Sequence, residues 1–269
     1  MIKKKKMEKL GIVLAGGGAR GIAHIGVLQA LEERKISPQY ISGASAGSIV
    51  GAAYAAGKSP VEILSYFKES SSLFNIVTFG LPVKGFANLN YLKDVLAKNL
   101  GENSFDILKK KLYVSVTNLD EGKWEVIDSG PLFDVVMASS AIPLVFKPVK
   151  INGITYVDGG LLNNLPVEPL HAHCNAIIGV NVNPHGWTKD LDNMYEIGQR
   201  CFDLILWNNI ENRLNQCDVI IEPEEVYNYA AFDFSKAEEI FEVGYKATKK
   251  QMPQILDKLY KLMYLNGER

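Results

Sequence analysis

Ser45 stands in the middle of Gly43-Ala44-Ser45-Ala46-Gly47, and a second glycine-rich run, Gly16-Gly17-Gly18-Ala19-Arg20-Gly21, precedes it by fewer than thirty residues. Each run follows a short apolar stretch and opens a stretch of helical periodicity. The pattern G-x-S-x-G between a strand and a helix is that of a nucleophile elbow: flanking glycines permit a sharp turn that lifts a serine hydroxyl clear of the backbone. At a helix N-terminus the peptide dipoles favour a developing alkoxide. An acyl-transfer serine also needs backbone N–H groups aimed at the oxyanion, and three consecutive glycines at a helix start supply amides that no side chain shields.

Gly16, Gly18 and Gly21 also satisfy G-x-G-x-x-G, the phosphate turn of dinucleotide-binding proteins. That chemistry needs a carboxylate at the end of the second strand to hold a ribose. The second strand here ends at Ile41 and Ser42, and the next acidic residue is Glu62, so no nucleotide or other cofactor is expected.

Ser45 requires a base. His171, His173 and His185 follow in the chain order of an α/β-hydrolase, but none lies in a motif. Asp158 lies in Val157-Asp158-Gly159-Gly160, a carboxylate at a strand end with glycines that open a close approach. A plain turn is the other reading of Asp158-Gly159-Gly160 taken alone. His171 and His173 in HAHC lack the second cluster that a tetrahedral metal site requires, and no metal is expected.

These residues need rigid supports. LGIVLA and NAIIGVNV are continuous apolar runs of the kind buried on both faces of a parallel sheet. Helical periodicity follows at Ile25, Leu28 and Leu31, and a long amphipathic helix is expected over residues 193 to 214. Ser59-Pro60-Val61-Glu62 and Ser235-Lys236-Ala237-Glu238 read as capping boxes. Asn152-Gly153 joins two short strands, the second running directly into Asp158. Strands alternating with helices predict a doubly wound α/β sheet with an antiparallel portion. Residues 71 to 88 show neither period and read as a long apolar loop carrying Leu73, Phe74 and Phe79, either a lipid-facing surface or a segment packed on the core.

The 269 residues carry 29 basic and 30 acidic side chains, a net charge of −1, which gives no reason to expect a nucleic-acid partner. Lys3 to Lys6 form either a solvated tail or a weak contact with anionic lipid. Leu10 to Ala15 is too short for a signal-peptide core and lacks a cleavage site. The uncharged residues 39 to 57 are interrupted by serines and do not read as a membrane span. Three scattered cysteines, Cys174, Cys201 and Cys217, suit a reducing compartment, so the cytoplasm is expected, with peripheral contact at the inner membrane face. One domain over residues 1–269 is expected, with its core at about 10–255.

LAGGGARGIAHIGVLQAL, GASAGS, MASSAIPLVFKPV and YVDGGLLNNLPV occur in an order that resembles the patatin-like phospholipases, above all the bacterial branch similar to neuropathy target esterase. The resemblance extends from about Leu10 to about Ile255. It implies a three-layer α/β/α fold with a mostly parallel central sheet and a serine lipid acyl hydrolase that uses a Ser-Asp dyad without histidine. By matching motifs, Ser45 would be the nucleophile, Asp158 the base, and Gly16, Gly17, Gly18 and Arg20 the oxyanion hole. Lipid esters would be the substrates, with an acyltransferase or a lipid-binding module as the alternatives. Ala15 stands where several family members carry aspartate.

Overall fold

The computed structural model describes residues 9–79, 89–143, 145–183 and 191–262. Its centre is an eight-stranded mixed sheet. β1 (Leu10–Leu14) pairs in parallel with β2 (Tyr40–Gly43) on one side and β7 (Ala176–Val180) on the other. β8 (Val219–Ile221) extends the parallel part beyond β7, and β3 (Lys111–Asn118) extends it beyond β2. Beyond β3 the sheet turns antiparallel, through β4 (Lys123–Ile127), β6 (Ile154–Asp158) and β5 (Val149–Ile151).

The continuous apolar strands serve two cores. Leu10, Ile12 and Leu14 of β1 face a large core with α1 (Ala23–Glu32), α2 (Ala46–Ala55), α5 (Leu132–Ser139) and α8 (Ala237–Tyr260). Val13 and Ala15 face a smaller one with α6 (Glu168–His171) and α7 (Met194–Leu214). Alternation along a strand thus buries both faces and produces three layers. On the α6 side the contact is close: a Cβ on Gly11 would lie 2.7 Å from the Cys174 sulfur.

Several local expectations hold. Ser59 and Glu62 exchange the reciprocal hydrogen bonds of a capping box at the start of α3 (Pro60–Phe79). Asn152 and Gly153 both adopt positive φ, 51° and 88°, as a two-residue hairpin turn requires. Two expectations are corrected. Residues 71 to 79 belong to α3 rather than to a loop, because the capped helix propagates through them; residues 80 to 88 lie outside the described residues. Ser235 does not cap α8: Asp233 accepts from the Ser235 amide and hydroxyl, closing a tight turn one step earlier. Between α3 and β3 lies α4 (Asn90–Leu100), which buries Leu92 and Leu96. Among the described residues no helix is long and apolar enough to cross a membrane.

Candidate active site

The order β2-β1-β7 places three neighbouring parallel strands with their C-terminal ends at one edge of the sheet, the position at which open α/β sheets bind ligands. β2 delivers the elbow there. Ser45 has φ 49° and ψ −124°, a left-handed conformation that strains a residue with a side chain by about 1–3 kcal/mol. The flanking glycines are sterically required. A Cβ on Gly43 would lie 2.7 Å from the Gly47 carbonyl, and one on Gly47 would lie 2.1 Å from the Leu14 carbonyl oxygen. The strained turn is held from outside: the Ser45 amide donates to Ser139 Oγ at 2.9 Å, and that hydroxyl donates to the Ser115 carbonyl at 2.7 Å.

Asp158 arrives from the antiparallel side, at the end of β6, opposite Val116 of β3. Its amide donates to the Ala141 carbonyl at 3.0 Å and its carbonyl accepts from Thr117 Oγ1 at 2.9 Å. The segment from Ser139 to Ala141 therefore braces both the elbow and the carboxylate. Close backbone packing fixes Gly159, whose hypothetical Cβ would sit 2.1 Å from the Ser115 carbonyl oxygen. The Asp158 carboxylate accepts from the Gly160 amide at 2.7 Å and lines the same cavity as Ser45. With only 3% of its surface exposed, burial pushes its pKa up to about 7, against the opposing pull of the Ser45 hydroxyl and the Gly160 amide.

The first glycine run is oriented one peptide at a time. The Ala15 carbonyl accepts from His24 Nε2 at 2.7 Å, and the Gly16 amide donates to Asn164 Oδ1 at 3.1 Å. The Gly16 carbonyl accepts from the Asn183 side-chain amide and, at 3.4 Å, from Asn164 Nδ2. In a trans peptide the C=O and the following N–H point in opposite directions. Anchoring the Gly16 carbonyl therefore fixes the direction of the Gly17 N–H, and Gly17 lines the cavity it shares with Ser45. Gly18, at φ 57°, has no room for a side chain, since a Cβ would lie 2.1 Å from the Ala231 carbonyl oxygen.

Of the four residues expected at an oxyanion hole, Gly17 and Gly18 carry amides that make no hydrogen bond among the described residues. Gly16 and Arg20 are committed elsewhere. The Arg20 amide donates to the Gly17 carbonyl at 3.2 Å, its Nε donates to the Tyr229 carbonyl at 2.8 Å, and its guanidinium lies over the Tyr227 ring. Ala46, the residue after the serine, likewise has an amide without a partner. Burial lowers the His24 pKa to about 4, so its ring is neutral and its Nε2 carries the proton given to Ala15.

The two other described histidines lie elsewhere. His173 stacks on Tyr40, the first residue of β2, and on Tyr113, with ring centroids 5.5 and 6.0 Å away. That is the opposite end of the strand from Ser45. His171 is exposed and bonds Gln216, and His185 lies outside the described residues.

Two spaces meet at Ser45. One, of about 470 Å³, carries the polar side chains of Asp158, Asn164, Asn183 and Asp203 on a wall shared with Ile142, Leu206 and Phe232. The other, of about 520 Å³, is lined by Ile49, Phe67, Leu92, Phe146, Phe232 and Phe234. An apolar space of about 380 Å³ shares Ile49, Phe67 and Leu92 with it and continues to Ala53, Leu96 and Leu100. Asn164, Asn183, Ser139 and Asp203 were not singled out by sequence reasoning. The signal available was position: Asn183 follows the C-terminal end of β7, beside β1, where side chains converge on a ligand.

A fold of this topology with this elbow is that of the patatin-like phospholipases, and the chain belongs to that family, whose model it matches over residues 12–171. Among curated relatives it is 31% identical over 268 aligned positions to lysophospholipase NTE1 of Candida glabrata and 30% identical to lysophospholipase NTE1 of Saccharomyces cerevisiae. Each alignment covers 88% of this chain and 16% of the relative, so the chain spans about one-sixth of their length. Human GIVD cytosolic phospholipase A2 shares the fold, with a TM-score of 0.55 at 11% identity over 97% of this chain and 61% of that one.

Proposed function

We propose that the chain is a serine acyl hydrolase that cleaves fatty-acyl esters of phospholipids or lysophospholipids through a Ser45–Asp158 dyad and an acyl-enzyme intermediate. The observation that carries this reading is that Ser45, on its strained elbow, shares a cavity with a buried carboxylate whose pKa is raised to about 7. An aspartate of ordinary pKa, about 3.9, is too weak a base for a serine proton. Burial makes Asp158 a stronger one, and the ideal catalytic pKa lies near the working pH.

In the proposed cycle Ser45 Oγ attacks the ester carbonyl as its proton passes to Asp158. The amides of Gly17 and Gly18 hold the oxyanion, and preorganised donors of this type contribute about 10²–10³ each. Asp158 returns the proton to the leaving alcohol as the carbon–oxygen bond breaks. A water then attacks the acyl-serine, giving one proton to Asp158 and its hydroxyl to the acyl group, and the proton returns to Ser45 as the fatty acid departs. No step calls on a metal or an organic cofactor.

The contiguous apolar spaces beyond Ala46 suit the acyl chain, and the space that holds Asp158, Asn164, Asn183 and Asp203 suits the alcohol. Contact with a lipid surface belongs to the same reading, supported by exposed Met194, Ile197, Leu204 and Ile205 on α7, whose Leu206 lines that space. Reduced Cys174, Cys201 and Cys217 suit a cytoplasmic location at the inner membrane face, and residues 1–269 act in this reading as one catalytic domain. The test is to incubate the purified protein with a mixed lipid extract and identify the products. Release of fatty acid and lysolipid is expected; acyl groups transferred to added alcohol without free fatty acid would make it an acyltransferase, and no turnover would overturn the reading.

A further inference from the structure

The cycle above leaves one charged group at the site without a task. Asp203, on α7, lines the same space as Ser45, Asp158, Asn164 and Asn183. It is partly buried, and burial holds its carboxyl above the usual carboxylate range, opposed by the charges of Arg20 and Arg200. Neither guanidinium is hydrogen-bonded to it. Arg20 is committed to Tyr229 and the Tyr227 ring, and Arg200 donates to the Tyr227 hydroxyl at 3.0 Å. Among the described residues no hydrogen bond or ion pair reaches the Asp203 carboxylate.

An ionised carboxylate only accepts hydrogen bonds. Left in a cavity wall without a donor, it is costly unless a ligand supplies one. With the acyl chain in the spaces lined by Ile49, Phe67 and Leu92, the leaving alcohol falls into the one that holds Asp158 and Asp203, so the donor belongs to the alcohol. An ammonium group and a hydroxyl are the two donors a lipid alcohol offers. Arg20 and Arg200 raise the local positive potential, which disfavours a cation and leaves a neutral hydroxyl unaffected.

We propose that Asp203 is a specificity-determining residue that accepts a hydrogen bond from a free hydroxyl neighbouring the scissile ester, so that monoacyl glycerolipids are selected over diacyl ones. This rests on the ester-hydrolase reading of Ser45. A diacyl lipid presents a second ester at that position, with no proton to donate, and presses an acyl chain against a carboxylate. Sites that hydrogen-bond a substrate hydroxyl discriminate strongly against the analogue that lacks it. For one charge-assisted bond in a partly open cavity the expected preference is about 10- to 100-fold.

The test uses a matched pair of short-chain, monomeric substrates, a 1-acyl lysophosphocholine with its 2-hydroxyl and the 2-deoxy analogue, with kcat/KM measured for wild type, Asp203→Asn and Asp203→Leu. The wild-type ratio should be about 10 to 100, fall toward unity in Asp203→Leu, and be intermediate in Asp203→Asn, whose amide oxygen still accepts. A wild-type ratio near unity, or an unchanged ratio in either folded variant, overturns the assignment. So does a preference that follows the ammonium group, retained by the deoxy lipid and absent from a monoacylglycerol. Fluorophosphonate labelling of wild type separates the two levels. Labelling with a flat ratio overturns the role of Asp203 alone, whereas neither labelling nor hydrolysis overturns the hydrolase reading and this assignment with it.

Discussion

The side-chain amide of Asn183, beyond the end of β7, donates to the carbonyl of Gly16, beyond the end of β1, and together with the longer bond from Asn164 Nδ2 it fixes the direction of the next N–H in the chain. Asn183 is itself held, its own amide donating to Asn181 Oδ1 at 2.9 Å. Asn183→Ala should release the Gly16–Gly17 peptide and lower kcat by about 10²–10³, the value of one oxyanion donor, with little change in KM. Asn183→Asp should not rescue it, because a carboxylate cannot donate to a carbonyl. Steady-state kinetics on a short soluble ester decide the matter; a loss confined to KM would remove Asn183 from the orientation of the loop.

Ser45→Ala and Asp158→Asn should each abolish ester hydrolysis in a folded protein. Because the two hydroxyl–carboxylate partners act as a unit, the double variant should lose little more than either single one. Additive losses, or fluorophosphonate labelling that survives Ser45→Ala, would place the nucleophile elsewhere.

Asp158 makes the chain pH-dependent in two opposite senses. In the proposed cycle its ionised form is the base, so kcat/KM should rise as pH passes through about 7 and level off above. Its raised folded pKa contributes stability that is complete below the unfolded value of about 4 and is lost as pH rises through about 7. Asp158→Asn should therefore raise the melting temperature relative to wild type by more at pH 8 than at pH 5. Equal shifts at the two pH values would mean that the carboxyl is not buried in the neutral form.

Ser139 supports the strained serine through the Ser45 amide. Ser139→Ala leaves that amide and the Ser115 carbonyl without their partner, a loss of about 1–3 kcal/mol, visible in urea unfolding. The activity should fall with it, since this hydrogen bond braces the elbow on which Ser45 stands. Ser45→Gly should shift stability the other way, by up to about 1–3 kcal/mol, because glycine occupies that conformation without strain.

The histidines separate a dyad from a triad. His171→Gln with His173→Gln should leave kcat within about tenfold, a barrier change below about 1.4 kcal/mol. A structural cost is expected at His173, where the stack on Tyr40 and Tyr113 is lost. A fall in kcat of a thousandfold in a folded double variant would show a base that the geometry does not contain.

Much of this molecule is legible in its sequence because the constraints are local. G-A-S-A-G announces an elbow since only glycine fits beside the Leu14 carbonyl and the Gly47 backbone, and VDGG announces a carboxylate at a strand end for the same reason. Apolar runs announce parallel strands buried on both faces. Residues 71 to 79 escaped this logic, because a helix followed a segment with no clear period. The elements that tertiary structure alone decided are relations between distant residues. The sheet order brings Asp158 to Ser45, burial moves its pKa to about 7, and Asn164 and Asn183 choose which glycine amides stay free. None of these leaves a sequence pattern, since desolvation and peptide orientation depend on what the fold packs around a residue and not on the residues beside it in the chain.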